Sequence, residues 1–404
     1  MAVPLKGNAC IGQSGGPTAV INQSLVGAIE EARKHKEIKK LFGARHGTKG
    51  IMKEDFLNLF RVPAKRLEIV AATPAAALGS VRHKPKKEDC GAILEVFRKH
   101  NIRYFFYIGG DDSAAAAHLI GGMAKAANYE MRIVHIPKTI DNNLMENDHT
   151  PGYGSAARFV ASAVRGDELD NRSLPGIKVD IIMGRDAGWL TAASMLARQK
   201  EGDGPHLIYL PESPFDPEKF VADVRRIYTT HGRAVICASE GIRDASGKLW
   251  AKRIAEESQA GAQTDAFGHF QLSGTGALAD YLTGRIKQGL ADLGDIRIRG
   301  DTFGYLQRSF PGFASKVDAK EARLVGRAAV KHACKGLDGS VAIKRKKGKA
   351  YQSYLELVPL EAVAGKNREV PEAFIAPEGN DILPSFRDYG LPHVGGLPET
   401  AVLD

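Results

Sequence analysis

The sequence predicts an α/β protein of two domains, each built on a mainly parallel sheet. Three observations carry that prediction. Short apolar runs alternate with helical patterns through the first 150 residues, a second such series begins after Gly152, and unusual polar residues recur just after the apolar runs. A chain of 404 residues is long enough for two ordinary domains, each with a core. The expected division is 1–150, 151–330 and a C-terminal appendage over 331–404, with segments free to cross between the two domains.

The elements follow in order. Ala9-Cys10-Ile11 reads as a first strand running into Gly12-Gln13-Ser14-Gly15-Gly16-Pro17. The helix after it carries Ile21, Leu25, Ala28, Ile29 and Ala32 at three- and four-residue spacing, one apolar face. Arg103–Ile108 (RYFFYI) is a buried strand ended by Gly109-Gly110-Asp111-Asp112, and the alanine-rich run from Ser113 is a helix that Asp112 or Ser113 is placed to cap. Arg132–Ile136 is the next strand and leads into Pro137-Lys138-Thr139-Ile140-Asp141-Asn142-Asn143. In the second series the expected strands are Lys178–Met183, Leu207–Leu210, Ala234–Ala238 and Ile296–Ile298. Helices are expected around Gly188–Gln199 and Gly276–Gln288, and the tail holds a strand-like YQSYLELVPL stretch.

Composition narrows the function. Hydrophobic residues at 43% and charged residues at 25% match a soluble globular protein, and no run approaches the roughly 20 apolar residues of a membrane span. Residues 1–10 lack the charged and apolar halves of a signal peptide. The four cysteines, Cys10, Cys90, Cys237 and Cys334, stand singly, which points to a reduced, cytoplasmic enzyme without a Cys-based metal site. A formal charge of +9 suits anionic ligands. The basic residues are spread along the chain, and the densest cluster, Lys344–Lys349, reads as a solvated turn between strands, so nucleic acid is not an expected partner. No P-loop occurs, and the two G-x-G-x-x-A matches, at Gly152 and Gly274, follow no convincing strand at the correct distance. Trp189 and Trp250 read as packing residues.

Ligands of an open parallel sheet bind beyond the carboxyl ends of its strands, where Gly15-Gly16, Asp111-Asp112, Lys138, Asp141, Arg185, Glu240 and Arg299 all fall in this reading. Any one such loop needs Gly, Asp or Asn for its turn alone; six with complementary charges point to one cleft. Gly15-Gly16 at a helix start offers backbone N–H groups to a phosphate. Adjacent Asp111 and Asp112 suit a hard divalent cation such as Mg²⁺ shared with phosphate oxygens. Lys138 is a point charge three residues before Asp141, a candidate general base. Arg185, Arg299 and Arg308 are able to clamp a second phosphate. Phosphoryl transfer from a polyphosphate to a sugar-phosphate hydroxyl uses every one of these parts.

At this point the chain resembles the phosphofructokinase family, in its pyrophosphate-dependent branch. The motifs are SGGPTAVIN (14–22), GGDDS (109–113), PKTIDNN (137–143), MGRDAGWLTAA (183–193), SEG (239–241), FGHFQLSGTG (267–276) and FGYLQRS (303–309), in order along residues 8 to 330. The resemblance implies two Rossmann-like three-layer domains with the active site in the cleft between them. It also implies Mg²⁺ as cofactor, pyrophosphate and fructose 6-phosphate as substrates, and a homodimer or homotetramer. By position, Gly16 would meet the donor through its backbone, Asp111 would hold Mg²⁺, and Asp141 would take the proton of the sugar 1-hydroxyl. Thr139, Met183, Gly184, Arg185, Glu240, Tyr305 and Arg308 would touch the sugar phosphate, and Arg299 its 6-phosphate.

Two positions separate this branch from the ATP-using one, which carries glycine in place of Asp112 and Lys138. Asp112 would occupy the place of an α-phosphate, and two like charges ~4 Å apart repel by about 4 kcal/mol at an effective dielectric near 20. Lys138 would offset the charge on the transferring phosphoryl group. Asn143 stands where the family usually has aspartate, removing one charge near metal and base. Lys178 is a candidate for the basic residue that bridges subunits, or an exposed strand-end lysine; Arg82 resembles a donor-phosphate arginine of the ATP branch. The rival readings are an ATP-dependent sugar kinase, a non-catalytic regulatory homologue and a nucleic-acid-binding protein.

Overall fold

A computed structural model describes residues 5–257, 276–348 and 350–403. Within it the chain forms two compact units, one taking Met1–Ile140, Leu144–Ser155 and Arg308–Arg368, the other Asp141–Asn143, Ala156–Gln307 and Glu369–Asp404. Eleven strands occur among the described residues. They are β1 (Gly7–Gln13), β2 (Ile38–Ala44), β3 (Phe56–Asn58), β4 (Ile102–Gly109), β5 (Arg132–Pro137), β6 (Ile177–Ile182), β7 (Leu207–Tyr209), β8 (Ala234–Ser239), β9 (Ile298–Thr302), β10 (Gly339–Arg345) and β11 (Ser353–Val358).

The first unit holds a sheet in the order β11-β10-β5-β4-β1-β2-β3. Its five inner strands run parallel, and antiparallel β11 and β3 close the two edges. The inner strands are near-continuous apolar runs because helices cover both faces, the usual condition of a parallel sheet. On one side Ile11, Tyr104, Phe106 and Val134 pack with the helices Ile21–Ala32 and Lys316–Cys334; on the other Cys10, Phe105, Tyr107 and Ile133 pack with Lys87–Lys99 and Asp111–Ala126. From β1 the chain adds strands to one side, β2 and β3, and then to the other, β4, β5 and β10. That reversal opens a crevice at the carboxyl ends of β1 and β4.

The stretch from residue 331, expected as an appendage, supplies β10 and β11 to this sheet and passes to the second unit at Glu369. The apolar Val341-Ala342-Ile343 run has both faces covered: Val341 and Ile343 share a cluster with Val325, Ala329 and Ala333 of the helix Lys316–Cys334, and Ala342 packs with Ala114, Leu144 and Val363. Lys344 and Arg345 end β10, and Lys346–Gly348 make the turn to β11 as the charge run suggested.

The second unit holds the parallel sheet β7-β8-β6-β9. Val179, Ile181, Ile236 and Ala238 face an apolar cluster with Phe220, Val224, Leu282 and Ile286 of the helices Pro217–His231 and Ala277–Gly289. Trp189 and Trp250 are buried in packing roles; Trp189 lies against Tyr389 at a centroid distance of 5.1 Å. The helix expected over Gly188–Gln199 is only Trp189–Ala192 followed by a 3₁₀ turn, Ala193–Ala197. Of the G-x-G-x-x-A matches, Gly152 precedes a helix with no strand leading directly into it; Gly274 and Thr275 of the second match lie outside the described residues, and its Ala277–Ala279 begin the helix Ala277–Gly289. All four cysteines are buried and free. No described helix is long and apolar enough to cross a membrane.

Candidate active site

In the first unit, three loops leave the carboxyl ends of neighbouring strands. Register pairs Gln13 with Ile108 and Gly109 with Pro137, so Ser14–Gly16, Gly110–Asp112 and Lys138–Thr139 emerge side by side. Gly15 has φ of 74°, in the left-handed region, and a Cβ there would also lie 3.1 Å from the Lys138 ammonium. A Cβ on Gly16 would lie 2.8 Å from an Arg308 guanidinium nitrogen. Lys138 is buried, and its Nζ donates to the Gly16 carbonyl at 2.7 Å. The two glycines therefore let two cations come up against one loop.

Asp111 and Asp112 open the helix Asp111–Ala126, where the dipole favours carboxylates. Its N-cap is Gly110, and neither Asp112 nor Ser113 caps it, because both already lie inside the first turn. Ser113 and Ser14 instead share a very short hydroxyl–hydroxyl hydrogen bond that ties β1's loop to the helix start. Lys84 Nζ stands 3.3 Å from an Asp112 oxygen. Both partners are exposed, so this pair adds little stability, about 0–1 kcal/mol. It does offset part of the charge by which Asp112 would repel a nucleotide.

Thr139 is buried, and its carbonyl accepts from Thr150 Oγ1 at 2.9 Å. His135, one turn of strand earlier, bonds the Gly109 carbonyl through Nε2 and Ser340 Oγ through Nδ1. The carbonyl only accepts, so Nε2 carries the proton and the ring is neutral. Burial pulls its pKa down to about 4. Gly15 is further held by its N–H to Val81 O and by Ser80 Oγ to its carbonyl, which brings Arg82's segment beside the glycine loop.

In the second unit, Met183-Gly184-Arg185 follow β6 and Glu240 follows the adjacent β8. Ser239 Oγ donates to the Gly184 carbonyl at 2.6 Å, and Glu240 N donates to Ile182 O, which fixes the two loops to each other. Glu240 is buried. Met183 N donates to Gln307 Oε1 at 3.3 Å. The Arg185 Nε donates to Asp186 at 2.9 Å, and Arg243 reaches the same carboxylate. Asn142, next to Asp141, is fully buried with its side-chain amide donating to the Tyr389 hydroxyl. Tyr305 follows β9 and is 43% exposed.

Arg299 is placed differently from the expectation. β9 is Ile298–Thr302, so Arg299 sits inside the strand near its start, beside Lys178 at the start of β6, and not at the carboxyl edge. Its side chain is exposed. Lys178 is no free strand-end lysine: its Nζ lies 3.3 Å from Asp167 and 2.5 Å from Asp301. The motif FGHFQLSGTG lies, apart from Gly276, outside the described residues. Sequence reasoning missed Lys84, Ser113, Thr150, Asp186, Gln307 and Tyr389. Ser113, Asp186 and Gln307 carried a signal, each standing inside a quoted motif; Lys84, Thr150 and Tyr389 did not.

Fold and loops together define a phosphate-handling α/β protein: glycine-rich turns, acidic helix starts and cations at the carboxyl edges of parallel strands. The sequence model of the phosphofructokinase family matches residues 8–333. The chain belongs to the phosphofructokinase family. It is 50% identical over 396 residues to a pyrophosphate–fructose 6-phosphate 1-phosphotransferase of Rhodospirillum rubrum, covering 98% of this chain and 96% of that one. A protein of the same name from Xanthomonas campestris is 38% identical over 400 residues, covering 96% of this chain and 92% of that one. Among solved structures, a pyrophosphate-dependent phosphofructokinase from Nitrosospira multiformis superposes with a TM-score of 0.85 at 32% identity. It covers 98% of this chain and 94% of that chain.

Proposed function

We propose that the protein is a pyrophosphate–fructose 6-phosphate 1-phosphotransferase. It moves a phosphoryl group from pyrophosphate to the sugar 1-hydroxyl, giving fructose 1,6-bisphosphate and phosphate, reversibly, in glycolysis and gluconeogenesis. The observation that carries this reading is Lys138, buried with its ammonium on the glycine loop, together with Asp112 at the next helix start. A small inorganic donor has no adenosine to grip, so fixed charges of this kind supply its binding.

Asp141 takes the proton of the 1-hydroxyl as that oxygen attacks in line. Lys138 and the backbone N–H of Gly16 offset charge on the transferring group and the leaving phosphate. Asp111 and Asp112 fit Mg²⁺ by the chemistry of their donors, hard carboxylate oxygens on one helix turn. Bound there, Mg²⁺ would neutralise phosphate oxygens. Thr139, Met183, Gly184, Arg185, Glu240, Tyr305 and Arg308 contact the sugar phosphate in this reading. Arg299 contacts the 6-phosphate in this reading, and the protein works as a homodimer or homotetramer in the cytoplasm.

The test is a steady-state assay with fructose 6-phosphate and Mg²⁺, with either pyrophosphate or ATP as donor. Activity with pyrophosphate and little with ATP is expected. A preference for ATP would replace this reading by that of a nucleotide-dependent kinase.

A further inference from the structure

The second unit contains a charged cluster that the proposed reaction does not use. β6 alternates: Val179 and Ile181 face the apolar cluster, so Lys178 and Asp180 face the other way. Parallel register places Asp301 of β9 directly beside Asp180, on the same face. Asp167 reaches the same spot from the helix Tyr153–Ser173. One carboxylate oxygen from each of Asp167, Asp180 and Asp301 lies within 4.8 Å of the others. Asp180 is 0% exposed, and neither of its oxygens has a hydrogen-bond partner among the described residues.

An ionised carboxylate is not left bare inside a protein; it takes a proton, a partner or a metal. The Lys178 ammonium lies against Asp167 and Asp301. Three carboxylates and one ammonium leave two negative charges in excess. The only other titratable group paired with Asp180 in the sheet is the Cys237 thiol, buried and neutral, its pKa raised chiefly by burial. The Asp301 side chain is 56% exposed, so the cluster has a wet mouth and a dry floor.

We infer that Asp167, Asp180 and Asp301 form a binding site for a hard divalent cation, separate from the donor site, with Lys178 as the flanking charge. Three monodentate carboxylates leave room for water ligands on the Asp301 side, which suits Mg²⁺ or Mn²⁺ rather than a soft metal. Such an ion would tie the helix Tyr153–Ser173 to β6 and β9. A proton shared between Asp167 and Asp180 is the competing solution to the same charge problem.

The test uses the full chain, stripped with chelator and free of pyrophosphate and sugar phosphate, titrated with Mn²⁺ followed by electron paramagnetic resonance and by thermal unfolding. Wild type should bind one more Mn²⁺ per chain than Asp180→Asn and should gain thermal stability that the variant does not. The double variant Asp111→Asn with Asp180→Asn should bind one Mn²⁺ fewer than Asp111→Asn alone. Because Asp180→Asn removes a buried group, Asp301→Asn at the exposed mouth provides the second arm: its Mn²⁺ affinity should fall by about tenfold or more with the circular dichroism unchanged. Equal Mn²⁺ stoichiometry and equal thermal gain in wild type and both variants would overturn the site and leave the shared proton as the answer. Neither readout depends on the identity of the phosphate donor.

Discussion

Lys138 is buried and donates from its ammonium to a backbone carbonyl, that of Gly16 in the glycine loop. Replacing it by methionine keeps the stem and removes the charge. Lys138→Met should therefore lower pyrophosphate turnover by about 10²–10³-fold, as removal of one transition-state donor does, with little change in melting temperature. The paired change Asp112→Gly with Lys138→Gly should shift preference toward ATP, read as the ratio of kcat/KM values for the two donors. Lys84 beside Asp112 makes the single change Asp112→Gly the weaker of the two switches, because part of that charge is already offset. Asp141→Asn removes the proposed base and should cost about 10²–10⁴-fold in kcat, with fructose 6-phosphate affinity measured by calorimetry close to wild type.

Single elements explain both what the sequence reveals and what it hides. β1, β4 and β5 are apolar because both faces are covered, so their ends, and the residues just beyond them, are legible without coordinates. β9 is a sheet edge with three exposed residues in the middle, Arg299-Gly300-Asp301, and no apolar run marks it. That is why Arg299 reads as a loop residue from sequence and proves to be a strand residue. Gly110 as helix cap is equally hidden, since two aspartates follow it and either is a good cap by residue type. Ion pairs between residues far apart in the chain, such as Lys84 with Asp112, leave no local trace.

The loop that continues from Asn143 is held by an element-level device. His149 is buried with Nδ1 bonded to Asp148 at 2.9 Å and Nε2 to Glu321 of the helix Lys316–Cys334 at 2.7 Å. Burial works against its charge, but the two carboxylates outweigh it and raise its pKa to about 9. Tyr351, Ser353 and Arg345 complete the hydrogen bonding. A folded-state pKa above the ordinary value of about 6.5 means that this stabilisation is complete below that pH and lost as pH rises toward 9. His149→Gln should be destabilised by about 3–5 kcal/mol at neutral pH, because it removes the buried cation that pairs with Asp148 and Glu321. In urea titrations the gap between wild type and variant should narrow between pH 6.5 and 9.5.

For the molecule as a whole, the four buried thiols give a simple global reporter. Burial raises the pKa of each, Cys90 to about 11 and Cys334 to about 12. Native protein should be nearly inert to a thiol reagent at pH 8, and full reaction of all four should follow only the unfolding transition seen by circular dichroism.

The pairing of β10 with β5 also has a temporal meaning. Val134 waits for Gly339, more than two hundred residues later, before its open side is matched. During synthesis the ribosome therefore releases a nascent half-sheet whose bare flank stays sticky until all but about the last sixth of the polypeptide has emerged. A translational pause or a premature stop between those two points should yield aggregates rather than a smaller working enzyme.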